Sequence, residues 1–465
     1  MPFNSFLNYP LSWKPDRQKL TRPIYLSLAK QLERDISQGF LIAGTKLPPQ
    51  RELADFLDIN FTTVTRAYKL CELKGLIYAV AGSGTFVAAT ASQSVTISSD
   101  NLPCGNIDLG FISSFEQCNF MITPVIKKVL SKRQVAELVD YNYPTGMPHH
   151  KSAGINWMKN LGLNVDEEHL AITSGALNGL TLILLALFEP GNRIAVDTYT
   201  FSNFIELAKM FHLQLIPVEN DDEGMIPDIL ENKCKLNKIH GIFLMPSCAN
   251  PTTIMMSYRR KKELADVIKK HNLILLEDDV YAFISAGIIA DYTEPLFNLV
   301  PQNSIYICST SKSICSGLRV AYIVFSSRFR DSILKSLYNV NVKTSSIDAE
   351  IVTEAILSGT ANNIVKKKII LAEKTNAIFN KYFKQNNKNI HPLSFYRWLP
   401  IGNHQDGFQI KKIFQSKGLR VYHSDRFLCG SFENTHYLRI ALSTVLSLDE
   451  LHKGLSLLYD LINNH

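Results

Sequence analysis

The sequence predicts an α/β protein preceded by a small helix-turn-helix domain, and three observations lead to this fold class. In the first hundred residues, two short helical patterns flank a tight turn, and a glycine-rich hairpin pattern follows them. Further on, short apolar runs such as residues 241–245 and 273–276 are typical of buried strands that end in polar loops. At 465 residues, the chain is also too long for one ordinary domain.

The N-terminal helices are predicted from their apolar spacing. Residues 24–36 should form a helix that Gly39 ends, because apolar side chains recur every fourth residue at Ile24, Leu28, Leu32 and Ile36. A short helix then begins within residues 47–54 (LPPQRELA), and a turn through residues 58–60 leads to a second helix from about Thr62 to Leu73. The inward side chains of this second helix should be Val64, Ala67, Tyr68 and Cys71.

A hairpin is predicted after the second helix. Residues 76–78 and 81–87 (AGSGTFV) are typical of two short strands joined by a glycine turn, which makes a wing. A helical pair alone is often plain scaffolding, but the wing favours a DNA-binding head in which the second helix reads the DNA.

This block closely resembles the winged helix of GntR-type bacterial transcription regulators, through the stretches LPPQRELA, TTVTRAY and GSGTFV. Short hydroxyls and arginines serve both phosphates and base edges, which fits that role. The resemblance implies that Gly82 and Gly84 shape the wing. It also implies DNA contacts by five residues: Arg51, Thr62, Thr63, Thr65 and Arg66.

A lysine among hydroxyls is the most informative feature of the longer domain. Residues 309–312 read Ser-Thr-Ser-Lys, and Arg319 follows seven residues after Lys312. An aldehyde-bearing, phosphate-bearing cofactor needs an amine for a Schiff base, together with hydroxyl and guanidinium groups for its phosphate. Taken alone, a serine-rich loop with one lysine is more often a solvated turn.

Three upstream segments add to this pattern. Asn250-Pro251 follows a strand-like run, although Asn-Pro is also a common turn dipeptide. Residues 277–279 (Glu-Asp-Asp) end another strand-like run and precede Tyr281. Such acids are usually a solvated loop or a metal site, but a buried aspartate could instead face a pyridinium nitrogen. Residues 173–176 (Thr-Ser-Gly-Ala) open an apolar helix and leave its first N–H groups free for an anion.

Together these segments resemble the fold-type I aminotransferases, which use pyridoxal 5′-phosphate (PLP) and have a large and a small subdomain. The resemblance implies that Lys312 is the Schiff-base lysine and that Asp278 pairs with the pyridine nitrogen. Asn250 and Tyr281 would bind the phenolic oxygen. The residues around the phosphate would be Ser174, Gly175, Ala176, Ser309 and Arg319.

The same resemblance implies three further residues. Aligning Pro190-Gly191 places Phe201 where an aromatic ring stacks on the cofactor, with Tyr199 as the nearby alternative. Arg439, in HYLRIALS, would fork onto the carboxylate of a substrate or effector, although a strand arginine is more often a surface ion pair. Tyr141 would reach the cofactor phosphate of a neighbouring subunit.

The chain departs from the aminotransferase pattern at two places. Leu177 and Asn178 stand where glutamine often follows, and His150-Lys151 replaces the usual Leu-Arg pair. These departures remove no catalytic group, but they leave room for a site that binds PLP and turns over poorly.

Composition sets broad limits. The formal net charge of +7 permits DNA binding without predicting it, and the eight cysteines include no CxxC pair, so no metal site is expected. The sequence shows neither a signal peptide nor about 18 consecutive apolar residues, so we expect a cytoplasmic protein that does not cross a membrane. The predicted domains are residues 1–88 for the winged helix, 89–105 for a small, polar linker and 106–465 for the aminotransferase-like part.

A winged helix followed by an aminotransferase-like domain is similar to the layout of the MocR-like regulators. The favoured hypothesis is a homodimeric transcription regulator that binds promoter DNA and senses an amino compound through an aldimine at Lys312. One alternative is an active aminotransferase that uses an amino acid donor and a 2-oxo acid acceptor. Another is a sensor with PLP as its only ligand.

Overall fold

A computed structural model describes most of the chain. The described residues are 11–38, 40–42, 44–80, 82–88, 96–97, 106–290, 292–385, 387–402, 407–430 and 435–463. They form a small N-terminal unit, a large α/β unit and a smaller C-terminal unit.

The N-terminal unit confirms the predicted winged helix. Three helices come first, and an antiparallel hairpin completes the unit. A core of apolar side chains from all three helices and both strands holds it together. The elements are α1 (Ile24–Ser37), α2 (Gln50–Leu57), α3 (Phe61–Leu73), β1 (Ile77–Val80) and β2 (Gly84–Val87).

The turn between α2 and α3 is built from capping residues. Asp58 takes a left-handed conformation with φ of 48°, which stops α2. The Asn60 side chain then accepts a hydrogen bond from the Thr62 N–H at 2.8 Å and caps α3. The four side chains predicted to face inward from α3 are all buried, which confirms its periodicity. Gly39 lies outside the described residues, and α1 has its last residue at Ser37.

The rest of the chain alternates strands and helices. The strands are β3 (Ile107–Asp108), β4 (Leu170–Thr173), β5 (Arg193–Asp197), β6 (Gln214–Val218), β7 (Asn220–Asp221), β8 (Gly224–Met225), β9 (Gly241–Leu244), β10 (Ile274–Asp278), β11 (Ser304–Ser309), β12 (Ala321–Phe325), β13 (Tyr396–Gly402), β14 (Leu419–Arg420), β15 (Tyr422–His423) and β16 (His436–Ala441). The helices are α4 (Thr123–Leu130), α5 (Pro148–Lys159), α6 (Ala176–Leu187), α7 (Ser202–Met210), α8 (Pro227–Leu236), α9 (Tyr258–His271), α10 (Ser327–Val340), α11 (Ser346–Leu357), α12 (Thr360–Tyr382), α13 (Gly407–Ser416) and α14 (Leu448–Asn463).

The large unit is built on a seven-stranded sheet in the order β4-β12-β11-β10-β9-β5-β6. Strand β12 runs antiparallel to both of its neighbours, and the remaining pairs are parallel. Every residue of β4, β9, β11 and β12 is buried, as expected for a sheet with both faces covered. The carboxyl ends of β4, β5, β9, β10 and β11 therefore meet at one edge, where ligands bind in open α/β sheets.

The C-terminal unit carries a three-stranded antiparallel sheet in the order β13-β16-β15. Strand β3 pairs with β14 and Leu109 lies in the core of this unit, so the first residues after the linker are anchored here. The predicted boundaries at residues 88 and 105 remain predictions, because residues 89–95 and 98–105 lie outside the described part of the chain.

The end of α3 approaches the large unit of the same chain. A Cβ atom at Gly75 would lie 3.0 Å from Cγ of Lys209, and one at Gly191 would lie 3.6 Å from a methyl carbon of Leu73. The N-terminal unit and the large unit therefore lie in contact at the end of α3.

Candidate cofactor site and DNA-contacting surface

A cavity of about 250 Å³ lies at the carboxyl edge of the large sheet. Residues from the large unit, from β16 and from the segment after the linker all line it. Most of the sequence-predicted cofactor and effector residues meet here: Ala176, Phe201, Asn250, Asp278, Tyr281, Ser309, Lys312, Arg319 and Arg439.

Lys312 lies in a turn that directly follows β11. Its Nζ donates a hydrogen bond to the Ile112 carbonyl at 2.5 Å. Burial lowers the pKa of Lys312 to about 7, although Glu116 opposes the shift. At neutral pH a large fraction of the amine is therefore unprotonated, which is the form that attacks a carbonyl carbon.

Asp278 is the last residue of β10, and one of its carboxylate oxygens accepts no hydrogen bond from the described residues. Its side chain is 2% exposed, and Oδ1 has no hydrogen-bond partner among the described residues. Burial, together with the neighbouring Asp279, raises the pKa of Asp278 to about 7. An unpaired buried acceptor that lines a cavity is suited to a ligand that brings a charged N–H group.

The two flanking acids are used inside the fold. The Glu277 carboxylate accepts the backbone N–H groups of Leu296 at 2.9 Å and Phe297 at 2.6 Å. Asp279 accepts the N–H of Ser247 at 3.3 Å, and it also accepts the hydroxyl of Tyr306 at the same distance. Burial of all three acids disfavours a solvated loop and leaves Asp278 as the one that lines the cavity.

Arg439 is a buried residue of the cavity wall rather than a surface residue. Its Nη1 donates to Asn250 Oδ1 at 3.0 Å, and its Nη2 donates to the Gly110 carbonyl at 2.9 Å. The guanidinium carbon lies 4.7 Å from the ring centre of Phe427 and 5.5 Å from that of Tyr422. The surface ion pair considered from the sequence is therefore wrong for this residue.

The predicted phosphate pocket is closely packed around Arg319. Arg319 has a φ of +49° and donates through Nη1 to Ser311 Oγ at 2.9 Å. A Cβ atom at Gly175, which has a φ of +91°, would lie 2.4 Å from Nη2 of Arg319, so glycine is required there. The N-terminus of α6 follows at Ala176 and supplies free N–H groups.

Ser174 makes polar contacts away from the cavity. Its hydroxyl interacts with Asn341 and Thr344 at 3.5 and 3.4 Å, and its N–H donates to Asn178. Neither Ser174 nor Gly175 is among the residues that line the cavity. Ser311 lies there instead, and the sequence offered a signal for it in the Ser-Thr-Ser-Lys stretch.

The aromatic positions are distinguished by their packing. Phe201 lines the cavity, whereas Tyr199 packs edge-on against Trp398 and Tyr437, with ring centres 5.2 and 5.7 Å apart. Tyr281 is buried, 5.6 Å from the Tyr396 ring. Of these two candidates, Phe201 therefore lines the cavity and Tyr199 does not, while stacking on a cofactor remains a prediction.

Tyr141 does not join the cavity of its own chain. Its side chain is 84% exposed, on the segment that precedes α5. Its contact with a neighbouring subunit's cofactor remains a prediction.

The segment that follows the linker also contributes to the cavity, which its sequence did not predict. Phe111 and Ile112 line the cavity, and so does Ile97 within the linker itself. The Asn203 side chain holds Ile97 through its N–H at 3.1 Å and its carbonyl at 3.4 Å. These residues carry no motif, because their role depends on where the chain passes rather than on side-chain chemistry.

The departure at His150 has a structural partner. His150 is buried and its Nε2 lies 2.9 Å from Oε2 of Glu350, which Lys132 contacts through the other oxygen at 2.7 Å. Lys151 donates to the Glu167 carbonyl at 3.0 Å. Both replacements thus lie in contacts that join α5 to its surroundings.

The candidate DNA surface consists of α2, α3 and the wing. Arg66 is exposed, with its guanidinium 4.3 Å from the ring centre of Tyr25, and Arg51 lies 5.8 Å from that of Phe61. Thr62 is exposed, and Thr63 and Thr65 are half-buried. The Thr65 hydroxyl donates to Gln50 Oε1 at 2.8 Å.

The wing glycines have the conformations that a tight hairpin needs. Gly82 and Gly84 have φ of +76° and +124°. A Cβ atom at Gly84 would lie 2.9 Å from Cε of Lys46, so this position also admits a close approach.

Among the described residues, none of the helices combines the length and the apolar character that a membrane span requires.

Family models match both parts of the chain. Residues 24–87 match the model described as bacterial regulatory proteins of the gntR family. Residues 114–455 match the model described as aminotransferase class I and II.

A curated relative extends the similarity over the whole length. The chain is 33% identical over 468 residues to an uncharacterized HTH-type transcriptional regulator of Bacillus subtilis (strain 168), YdeF, and all of both chains is covered.

Solved structures share the fold of the larger part. An archaeal alanine:glyoxylate aminotransferase matches 77% of this chain and 91% of its own, with a TM-score of 0.70 and 20% identity. The kynurenine aminotransferase of Pyrococcus horikoshii, solved in complex with PMP, matches 77% of this chain and 91% of its own, with a TM-score of 0.68 and 18% identity. The fold is therefore that of the aminotransferases.

Proposed function

Because this chain belongs to the MocR type of HTH-type transcriptional regulators, in which a GntR domain precedes a class I and II aminotransferase domain, we propose that its aminotransferase-like part is a PLP-dependent sensor. The single observation that carries this proposal is the meeting of Lys312 and Asp278 in one cavity. DNA-binding regulation is the activity of the whole chain, and the amino-compound effector is the proposed input.

The residues present fit PLP. The unpaired Oδ1 of Asp278 suits the protonated ring nitrogen, and the glycine cradle at Gly175 beside Arg319 suits the phosphate. When bound, PLP supplies an aldehyde that condenses with primary amines and a ring that withdraws electrons. Lys312 would supply the protein's amine, and Asn250 and Tyr281 would orient the ring through its phenolic oxygen.

The effector proposal rests on Arg439. Its guanidinium is committed to Asn250 and to the Gly110 carbonyl, both neutral acceptors. A carboxylate on an amino compound would form stronger, charge-assisted hydrogen bonds and would replace the Gly110 carbonyl. We therefore propose an amino compound with an acidic group as the effector.

The proposed coupling to the DNA-binding head rests on two hydrogen bonds, one from Arg439 to the Gly110 carbonyl and one from Lys312 to the Ile112 carbonyl. Gly110 and Ile112 cap Arg439 and Lys312 with their carbonyls, and both lie in the segment that the linker leads into. If PLP bound Lys312 and the effector bound Arg439, both hydrogen bonds to that segment would be lost and the segment would be released. Because the ligands would bind the released arrangement more tightly, they would shift the linker between two positions.

An absorption and gel-shift experiment tests the function. The purified protein is saturated with PLP, and its visible band is followed while amino compounds are titrated. The DNA complex is measured in parallel on its own upstream DNA. One compound that alters both the band and the DNA complex supports the sensor. DNA binding that responds to PLP alone and to no amino compound would instead favour the PLP-only sensor.

The active aminotransferase is the second candidate, because the lysine, aspartate and arginine expected for turnover line one cavity. It requires conversion of the cofactor to its amine form and return with a 2-oxo acid. Turnover above about one per second, together with a DNA affinity that the amino compounds do not change, would favour the aminotransferase.

Charge removal on the proposed DNA surface should weaken DNA binding. Arg66→Ala removes an exposed guanidinium that the Tyr25 ring orients, so we expect about a tenfold loss of DNA affinity. The slope of the logarithm of the binding constant against the logarithm of the salt concentration should also become shallower by about one. Gel shift at several salt concentrations measures both. Lys453→Ala, an exposed cation on α14, is the matched control, and an equal loss in both variants would contradict the assignment.

Loosening the segment after the linker should weaken the coupling. The Asp108 carboxylate accepts the N–H groups of Gly110 at 2.8 Å and Phe111 at 3.1 Å and pairs with Arg420. In Asp108→Ala the Gly110 carbonyl competes less well for Arg439, so effector should bind about fivefold more tightly and change DNA affinity less.

The matched control is Asp166→Ala, which removes a turn-capping aspartate elsewhere on the surface. Effector affinity is read from the PLP band and DNA affinity from gel shift. An unchanged effector response in Asp108→Ala would show that the segment carries no coupling.

A further inference from the structure

Lys368 is a fully buried lysine that lies against the turn bearing Lys312. It belongs to α12 and its side chain has 0% exposure. Its Nζ donates to the Lys312 carbonyl at 2.9 Å and to the Ile314 carbonyl at 3.0 Å. Lysine is almost never fully buried unless its ammonium is paired, and here both partners are backbone carbonyls of one turn.

Two backbone hydrogen bonds close the turn itself. The N–H of Ile314 donates to the Thr310 carbonyl at 2.8 Å, and the N–H of Cys315 donates to the same oxygen at 3.2 Å. Buried carbonyls need donors, and Lys368 supplies one to each of two further carbonyls in the turn. The position of the Lys312 backbone therefore depends on a side chain from another element.

We infer that Lys368 is a positioning residue for Lys312, which holds the turn through two carbonyls and keeps a positive charge beside the reacting amine. The inference rests on the proposed function, since it concerns the amine that would bind PLP. It adds a residue that does not line the cavity.

The charges around Lys312 support a division of roles between the two lysines. Four charged groups act on Lys312: Glu116, which favours its protonated form, and Lys368, Arg439 and Arg319, which disfavour it. Burial is the largest cause of the lowered pKa of Lys312, about 7.

Burial also lowers the pKa of Lys368, but only to about 8, and Cys118, Cys315 and Glu116 oppose that shift. A positive charge on Lys368 disfavours protonation of Lys312 and so favours the neutral, nucleophilic form of the Lys312 amine.

The test measures the pKa of Lys312 in protein without PLP. The rate of reductive methylation by formaldehyde and cyanoborohydride is followed against pH, and the peptide that contains Lys312 is quantified by mass spectrometry. Lys368→Gln removes the charge and keeps a donor for the carbonyls. We expect the pKa of Lys312 to rise by about one unit, so that its methylation at pH 7 slows about fivefold.

Three companion variants make the result specific. Lys368→Arg keeps the charge and should restore most of the rate, whereas Lys368→Met removes both charge and donor and should show at least the glutamine effect. Lys367→Gln, an exposed neighbour on α12, should change nothing. If Lys368→Met fails to fold, the glutamine variant alone decides.

An unchanged pKa of Lys312 in Lys368→Gln would overturn the inference. That failure is distinguishable from failure of the proposed function. A wild-type protein that binds PLP with its visible band, together with an unchanged pKa in the variant, refutes only the role of Lys368. A shifted pKa in a protein that never binds PLP refutes the cofactor proposal and leaves the electrostatic role of Lys368 standing.

Discussion

Lys312→Ala will abolish the visible band of bound PLP and reduce the effector response to background, while the protein keeps its fold. The amine is the only group in the described cavity with both the nucleophilicity and the lowered pKa that condensation with an aldehyde needs. The substitution also removes the hydrogen bond that Lys312 donates to the Ile112 carbonyl. The absorption spectrum and effector-dependent gel shift measure the two losses, and circular dichroism reports the fold.

The matched control is Lys367→Ala, because Lys367 is exposed on α12. It should leave the band and the response unchanged. A Lys312→Ala variant that still responds fully to effector would refute covalent sensing and favour a site that binds its ligand without using this amine.

Asp278→Asn should lower PLP affinity and raise the stability of the PLP-free protein. Breaking a buried charge pair costs about 3–5 kcal/mol, so PLP affinity should fall about a hundredfold or more. The stability effect has the opposite sign because, without a ligand, burial disfavours the charged form of Asp278. Burial raises its pKa from 3.8 to about 7, which corresponds to about 4 kcal/mol against its charged form.

The pH dependence follows from that shift. The pKa of Asp278 is higher in the folded state than in the unfolded state. The carboxyl group therefore leaves the free energy of unfolding unchanged below about pH 4 and lowers it progressively as the pH rises to about 7. The gain in unfolding free energy for Asp278→Asn should therefore be near zero at pH 4 and reach up to about 4 kcal/mol above pH 7.

Urea unfolding without PLP, between pH 4 and pH 9, checks the stability effect, and spectral titration checks the affinity. Asp266→Asn, an exposed aspartate on α9, is the control and should change neither. Asp278→Asn that binds PLP as tightly as wild type would exclude this residue as the partner of the ring nitrogen. Such opposite effects on stability and affinity are characteristic of a residue kept for binding.

Several features followed from the sequence alone because they depend on local chemistry. The α3 periodicity, the glycine wing and the strand-end position of Asp278 are each set by residues close together in the chain. The family resemblance then connected the lysine, aspartate, asparagine and arginine through their order, before any distance between them was known.

Only the tertiary structure decided which groups share an environment. Three consecutive acids look alike in sequence, yet Glu277 and Asp279 satisfy backbone and hydroxyl donors while Asp278 keeps an unpaired oxygen. Phe201 and Tyr199 are likewise separated only by which neighbours each ring packs against. Lys368, 56 residues from Lys312, is an ordinary lysine in the sequence. It becomes informative because the fold removes it from water and leaves it two carbonyls as partners, and burial of that kind depends on the whole chain rather than on any local pattern.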